Sequence, residues 1–498
     1  MNSISRRAFI KKSMAGTAGA LLSTHAFGNF SSILGANETI NVAIAGFRSH
    51  GRSHINAYKN MPGVRIAALC DVDKEVLDRG VASLAKDNIK PKAYRDIRKL
   101  LEDKDVDAIS VVTPNHWHAL ATVWACQAGK DVCVEKPVSH CIWEGRKMVE
   151  AAQKYNRIVQ ADLDMRSDES RHKAVAYIHE GNLGKILKVR ITNYKRRRSI
   201  GKVHGVQAVP DNINYNLWLG RAPMEPLMRQ NLHYDWHWQW ATGNGEIGNN
   251  GPHQLDYVRW ILGKNTLPKT VMSYGGRYGY LDDGETPNTQ VAVYDYDGIP
   301  VIYESRGLAE NKFTEIMSDF VGYTATGKKV VHPYKSESPN MNVIVFCENG
   351  YLYNTTVYDN DGKEVKRFES ESETGPQAHF INAVRSRKKQ DLRTNIEEGH
   401  LSTSLCHMGN ISYSLGSHLS PNQIRERLGD DRLAMQAFER FQEHLAANEV
   451  NIWKQPVMMG PVLQYDSTNE QFIGEFSEEA NYYLKDTYRA PFVIPEKV

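Results

Sequence analysis

The chain has 498 residues, more than one hydrophobic core supports, so two domains with extensions are expected. Hydrophobic residues at 41% and charged residues at 24% describe an ordinary globular protein. A formal net charge of +3 is too small to indicate a nucleic-acid partner, and the local cluster Lys195-Arg196-Arg197-Arg198 reads as a solvated face or loop.

The first residues read as an address. Ser5-Arg6-Arg7-Ala8-Phe9-Ile10-Lys11 precedes a mildly apolar stretch from Met14 to Phe27, a pattern similar to a twin-arginine export signal with cleavage near Ala26. The stretch is too short and too weakly apolar to span a bilayer, so no membrane insertion is expected. Residues 1–36 are set aside as signal and linker, and the protein is expected in the periplasm, folded before export. Six cysteines, at 70, 126, 133, 141, 347 and 406, show no paired spacing, which argues against a disulfide framework or a zinc site.

Ile40-Asn41-Val42-Ala43-Ile44-Ala45 has the length and content of a buried parallel strand. It enters Gly46-Phe47-Arg48-Ser49-His50-Gly51, a dinucleotide fingerprint in which Arg48 stands where the second glycine is usually found. A second strand, Val64 to Leu69, ends at Cys70-Asp71, about 25 residues past the first glycine, where an acid meets an adenosine ribose. An aspartate accepts from both ribose hydroxyls and repels a 2′-phosphate, so NAD is expected rather than NADP.

The strand Val106–Val112 leads to Thr113-Pro114-Asn115-His116 and a helix from Trp117 to Ala128. His116 and His118 have no third ligand at metal spacing, so they are read as lining the cleft and no metal is expected. The run Asp131-Val132-Cys133-Val134-Glu135-Lys136-Pro137 then carries an ammonium to a strand's carboxyl end, where open parallel sheets bind ligands. A helix from Glu144 to Gln153 and the strand Arg157–Gln160 complete this half.

Gly46 to Gly51, Asp71, Thr113-Pro114-Asn115 and Glu135-Lys136-Pro137 together resemble the Gfo/Idh/MocA oxidoreductase family, which includes glucose-fructose oxidoreductase and inositol dehydrogenase. The resemblance implies a Rossmann domain (37–160) and a second, α+β domain on a large, mostly antiparallel open sheet (161–370). It also implies helices that return to the Rossmann half (371–420), with a C-terminal extension left over (421–498). Gly46, Phe47, Arg48, Ser49, His50, Gly51, Asp71, Thr113, Pro114, Asn115, His118, Glu135, Lys136 and Gln160 are the expected cofactor contacts. Exposed sheet faces in such second domains pair, so a homo-oligomer is expected.

The second half is rich in β runs with Asp-Gly and Gly-Gly turns, including Asp297-Gly298. Between them lies the aromatic stretch Leu232 to Trp240, whose indoles suit the C–H faces of a pyranose. Tyr194, Lys195, His233, Asp235, Trp238 and His253 are the expected substrate contacts. His253 is read as beginning a helix. In the family a histidine here, preceded four positions earlier by an aspartate, acts with the motif lysine. Asn249 occupies that earlier position and cannot take a proton, which leaves His253 or Lys136 as base and Asn249 to orient a hydroxyl. Beyond Ser420 an amphipathic helix from Asp430 to Glu449 and an irregular tail are expected.

The leading expectation is an exported, NAD-dependent oxidoreductase of a sugar or glycoside ring hydroxyl with a tightly held cofactor. Two alternatives remain open at this point. One is net glycoside hydrolysis through transient oxidation at C3, elimination, hydration and re-reduction. The other is a non-catalytic sugar-binding protein that retains NAD.

Overall fold

The computed structural model describes residues 39–308, 320–331, 341–371 and 374–498. The twin-arginine stretch and the linker Leu34–Glu38 lie outside the described residues. The first sheet is built from β1 (Ile40–Ala45), β2 (Val64–Cys70), β3 (Lys92–Tyr94), β4 (Ala108–Val111), β5 (Asp131–Glu135) and β6 (Val159–Asp162). Its order is β3-β2-β1-β4-β5-β6 with every pairing parallel. β4, β5 and β6 are buried at every residue, as strands with helices on both faces must be. The strand order reverses between β1 and β4, so a crevice opens outside the carboxyl ends of β1, β2, β4 and β5.

The second sheet has twelve strands. Its spine is β7 (Ile186–Tyr194), β8 (Thr270–Gly276), β9 (Thr289–Tyr296), β10 (Ile299–Arg306), β13 (Met341–Cys347), β14 (Gly350–Tyr353), β15 (Thr356–Tyr358) and β16 (Glu364–Arg367). The pairing of β7 with β10 is parallel; the other pairings are antiparallel. A separate ribbon joins β11 (Phe320–Tyr323) to β12 (Lys329–Val331). Side chains alternate between the two faces of the large sheet. Val271, Ala292, Val301 and Tyr303 meet the helices Gly245–Leu262 and Ile396–Ser414, whereas Met272, Val291 and Ile302 face the other way.

The C-terminal extension covers part of that other face with the expected amphipathic helix, and the stretch after it, expected to be irregular, forms strands. The helices Pro421–Leu428 and Arg432–Ala447 lie on the face with Ile424, Phe438, Phe441 and Leu445, so the chain itself shields apolar sheet surface. The extension also adds strands: β17 (Ser417–Leu419) pairs with β18 (Val457–Met459), and β18 and β19 (Leu463–Asp466) both pair with β8. β20 (Gln471–Ile473) pairs in turn with β19. The last residues then return to the Rossmann half, where Phe492, Ile494 and Val498 join its core and Phe492 meets Trp117 edge-on at 5.6 Å. All six cysteines are buried free thiols. No helix among the described residues is long and apolar enough to cross a membrane.

A second correction concerns His253. The helix that carries it begins at Gly245, so His253 sits in mid-helix, one residue after Pro252. Gly, Asn and Pro in this stretch argue locally for a loop. Tertiary packing overrides that preference: a Cβ on Gly251 would come within 3.0 Å of Cys406 Sγ, so the glycine lets this helix lie close against Ile396–Ser414.

Candidate functional site

A cleft of about 450 Å³ lies at the crevice, lined by both halves of the chain. Gly46 forms its floor with a φ of +79°, and a Cβ there would meet Val112 O at 2.8 Å, so only glycine permits the turn out of β1. Asp71 closes the β2 end. Its Oδ2 accepts from Phe47 N at 3.2 Å and its Oδ1 from Asp73 N at 3.0 Å, while burial pushes the carboxyl up to about 6. A strand, a glycine turn into a helix and an acid at the next strand end fit a dinucleotide: Asp71 would meet the ribose and the start of the Gly51–Lys59 helix the pyrophosphate. Thr113, Pro114 and Asn115 form the facing wall, and Asn115 Nδ2 donates to Asn244 Oδ1 at 3.1 Å, tying that wall to the second half.

At the opposite end, Lys136 and His253 line one cavity although they come from different sheets' neighbourhoods. Lys136 Nζ donates to Asn249 O at 2.6 Å, with Asn249 Oδ1 at 3.4 Å. His253 Nδ1 lies 2.9 Å from Asp164 Oδ1. Against the effect of burial, the His253 ring holds the Asp164 carboxyl below its ordinary value. Asp164 follows β6 in a single 3-10 turn, Asp164–Ser167, which is what brings it under the helix.

Behind Lys136 the cleft floor is a cluster of polar groups, all buried except His50. Glu135 Oε1 is 2.9 Å from His50 Nε2 and 3.0 Å from His54 Nε2, and Asp162 Oδ2 is 3.4 Å from the same His54 nitrogen. His54 Nδ1 is 2.7 Å from Ser110 Oγ. Burial opposes ionisation of both carboxyls. The two imidazoles nonetheless hold Glu135 well below its ordinary value, whereas Asp162, facing the Glu135 charge, is pushed up to about 7. Hydrogen bonding to Glu135 raises His50.

The segment between β7 and the Gly245–Leu262 helix roofs the cleft with Leu217, Trp218, His233, Tyr234, Trp236 and His237. It is pinned to the Rossmann half at several points. Asn212 Nδ2 donates to Asp73 Oδ1 at 2.7 Å, and His233 Nε2 lies 3.1 Å from Asp73 Oδ2. Trp117 Nε1 donates to Trp218 O at 3.0 Å. Arg221, almost wholly buried, donates to His116 O at 2.9 Å and pairs with Glu144 at 3.0 Å and with Asp486 of the C-terminal tail at 2.7 Å. Arg489 of the same tail donates to Asn216 Oδ1 and Gly220 O.

The predicted residues Gly46, Phe47, Arg48, Ser49, His50, Asp71, Thr113, Pro114, Asn115, His118, Glu135, Lys136, His233, Asn249 and His253 all line this cleft. Others do not. Gly51 lies behind it, at the start of the helix. Gln160 is buried and donates to Pro376 O at 2.8 Å, serving the packing of a returning helix. Tyr194 is buried where Arg190 donates to its hydroxyl at 3.2 Å. Lys195 is exposed on the edge beside β10, its N–H bonded to Arg306 O at 3.0 Å. Asp235 accepts from Asn231 at 3.0 Å, and Trp238 is buried beneath the Arg197 guanidinium, 5.3 Å from the ring centroid. His233 is reached at the Asp71 end and not beside Lys136, because Asp73 holds its ring there. His116 and His118 each direct both ring nitrogens at backbone carbonyls. Sequence reasoning missed His54, Asp162 and Asp164. The spacing of His54 four residues after His50 was a readable signal, since it places both on one helix face.

Two descriptions match this chain: "Oxidoreductase family, NAD-binding Rossmann fold" over residues 40–163 and "Oxidoreductase family, C-terminal alpha/beta domain" over residues 168–443. The second alone spans more than half of the chain. The chain belongs to the Gfo/Idh/MocA oxidoreductase family. As a member of that family it is an oxidoreductase-family protein with an NAD-binding Rossmann fold, and both Lys136 and His253 fall inside the matched regions. It is 25% identical over 274 residues to a levoglucosan dehydrogenase of Pseudarthrobacter phenanthrenivorans, covering 52% of this chain and 63% of that one. It is 30% identical over 216 residues to a glycosyl hydrolase family 109 protein of Shewanella putrefaciens, covering 36% and 47%. The chain thus spans less than two thirds of the length of either relative. Among solved structures, the WlbA dehydrogenase of Bordetella pertussis in complex with NADH and UDP-GlcNAcA aligns with a TM-score of 0.54 at 16% identity, covering 75% of this chain and 95% of that one. That likeness concerns the fold.

Proposed function

We propose that this Gfo/Idh/MocA member is an NAD-dependent oxidoreductase acting on a ring hydroxyl of a sugar or glycoside, with oxidation at C3. The observation that carries the reading is the convergence of Lys136 and His253 in one cleft whose far end is closed by Asp71. Nicotinamide supplies the hydride acceptor when bound. Every other task falls to the chain. Lys136 Nζ, positioned by Asn249 O, binds the reacting hydroxyl, and His253, backed by the Asp164 carboxylate, takes its proton. Asn249 Oδ1 orients a neighbouring hydroxyl. Trp236, His237 and Tyr234 offer aromatic faces to the ring.

Asp71 supports NAD over NADP, because its carboxylate repels a 2′-phosphate. The pinned roof supports a retained cofactor, which suits an exported enzyme for which free nucleotide is scarce; Arg6-Arg7 supports that location. The test is the nucleotide released on denaturing the purified protein, identified by mass spectrometry: NAD in stoichiometric amount supports the reading, NADP or none rejects it.

The likeness to a glycosyl hydrolase family 109 protein favours a second reading on the same site, net glycoside hydrolysis by transient C3 oxidation. Aryl glycosides separate the two. Released phenol with no accumulated keto sugar selects hydrolysis; a stable 3-keto glycoside selects oxidation.

A further inference from the structure

We propose that His50, His54 and Glu135, with Asp162 beside them, form a binding site for one divalent transition-metal ion at the floor of the cleft. His50 and His54 stand one helical turn apart at the start of the Gly51–Lys59 helix, on the same face. Glu135 and Asp162 are paired residues at the carboxyl ends of the parallel neighbours β5 and β6, so the sheet itself sets the two carboxylates side by side. Three ligand atoms of two kinds therefore meet, two imidazole Nε2 and one Glu135 oxygen, with Nε2–O separations of 2.9 and 3.0 Å; Asp162 Oδ2, 3.4 Å from His54 Nε2, stands beside them and also accepts from Gln377 Nε2 at 2.8 Å. Mixed imidazole and carboxylate ligands suit zinc, cobalt or manganese better than calcium or magnesium.

The distribution of contacts favours an ion over protons alone. Both imidazoles address the same oxygen of Glu135, whereas, among the described residues, its other oxygen takes only the Lys136 N–H at 3.1 Å. The nearest ammonium does not neutralise this carboxylate, since Lys136 Nζ is directed to Asn249 O. Glu135 and Asp162 are 5% and 4% exposed, and adjacent buried carboxylates are costly to ionise together unless matched by positive charge. A divalent ion matches both at once. Ser110 Oγ, 2.7 Å from His54 Nδ1, supplies the outer partner that turns a histidine's other nitrogen toward a metal.

His50 has a side chain 66% exposed toward the cleft, while His54 and Glu135 are buried, so any open coordination position faces the cleft. This inference does not rest on the proposed oxidoreductase activity, because its readout is metal content. Full-length protein is stripped with chelator, loaded with Zn²⁺ or Co²⁺, dialysed and assayed by elemental analysis, with the visible Co²⁺ spectrum recorded in parallel. The expected result is one equivalent per chain. His50→Ala, an exposed change that leaves the core intact, is expected to weaken binding at least tenfold and to alter the Co²⁺ bands. Glu135→Gln, checked for folding by circular dichroism, is expected to abolish binding. Absence of stoichiometric metal in the folded wild-type protein overturns the proposal, as does unchanged affinity in folded His50→Ala.

Discussion

Asp164 and His253, which stand 2.9 Å apart, join the turn after the last Rossmann strand to the middle of a helix of the second half. A carboxylate so placed stabilises the ring when it receives a proton. Asp164→Asn keeps the shape and removes the charge. We expect kcat to fall about 10- to 100-fold with KM changed less than threefold, measured by steady-state turnover of an aryl glycoside or sugar. An equal rise in KM with kcat intact would assign Asp164 to substrate binding instead.

Asn249 makes a sharper case, because the closer contact to Lys136 Nζ, at 2.6 Å, comes from its backbone oxygen and the side-chain oxygen lies at 3.4 Å. Asn249→Ala keeps the closer contact. Its cost in kcat should stay below about tenfold, while Lys136→Met should cost about 10²- to 10⁴-fold. Comparable losses in the two variants would show that the amide does more than orient a hydroxyl.

The acid at the nucleotide end predicts a pH effect on binding. Burial raises the Asp71 carboxyl to about 6, so the acceptor form predominates above that pH and is lost as pH falls through it. NAD affinity, measured calorimetrically on stripped protein, should therefore weaken by about tenfold for each unit below pH 6. Asp71→Asn should bind NAD more weakly at pH 7 and show no such slope.

The parallel half was legible because strands buried on both faces must be continuous apolar runs, and Val42–Ala45 and Val132–Val134 are such runs. Asp71 and Lys136 were legible because the strand ends set where ligands bind. The Asp164–His253 pair was not, since nothing local distinguishes Asp162-Leu163-Asp164 from a polar turn and the partners meet only through tertiary packing. The helix Gly245–Leu262 was misread at its start for a related reason: its glycines weaken a lone helix but permit the contact with Ile396–Ser414 that stabilises it. Gln160, expected as a cofactor contact, and Tyr194 and Trp238, expected as substrate contacts, are each consumed by packing instead.

Arg221 couples stability to the roof of the cleft. Its side chain is 2% exposed and is shared by Glu144 and Asp486. Removing one member of a buried ion network leaves uncompensated charge, at a cost of about 3–5 kcal/mol. Arg221→Ala should lower Tm by roughly 3–5 °C in a thermal scan and speed the release of bound nucleotide. Arg221 and His140 hold the Asp486 carboxyl below its ordinary value against burial, so this contribution is present above the unfolded carboxylate pKa of about 4 and is lost as pH falls below it. A variant as stable as the wild type would mean that the C-terminal tail does not fasten the roof.

The most direct measurement follows the absorbance of reduced nicotinamide in purified, nucleotide-bearing protein as sugars and glycosides are added, for the wild type and for Lys136→Met. The account predicts a rise in the wild type with at least one pyranoside and none in Lys136→Met, although that variant retains the same amount of NAD. Wild-type protein without bound nucleotide, or a variant that reduces it as fast as the wild type, would contradict it.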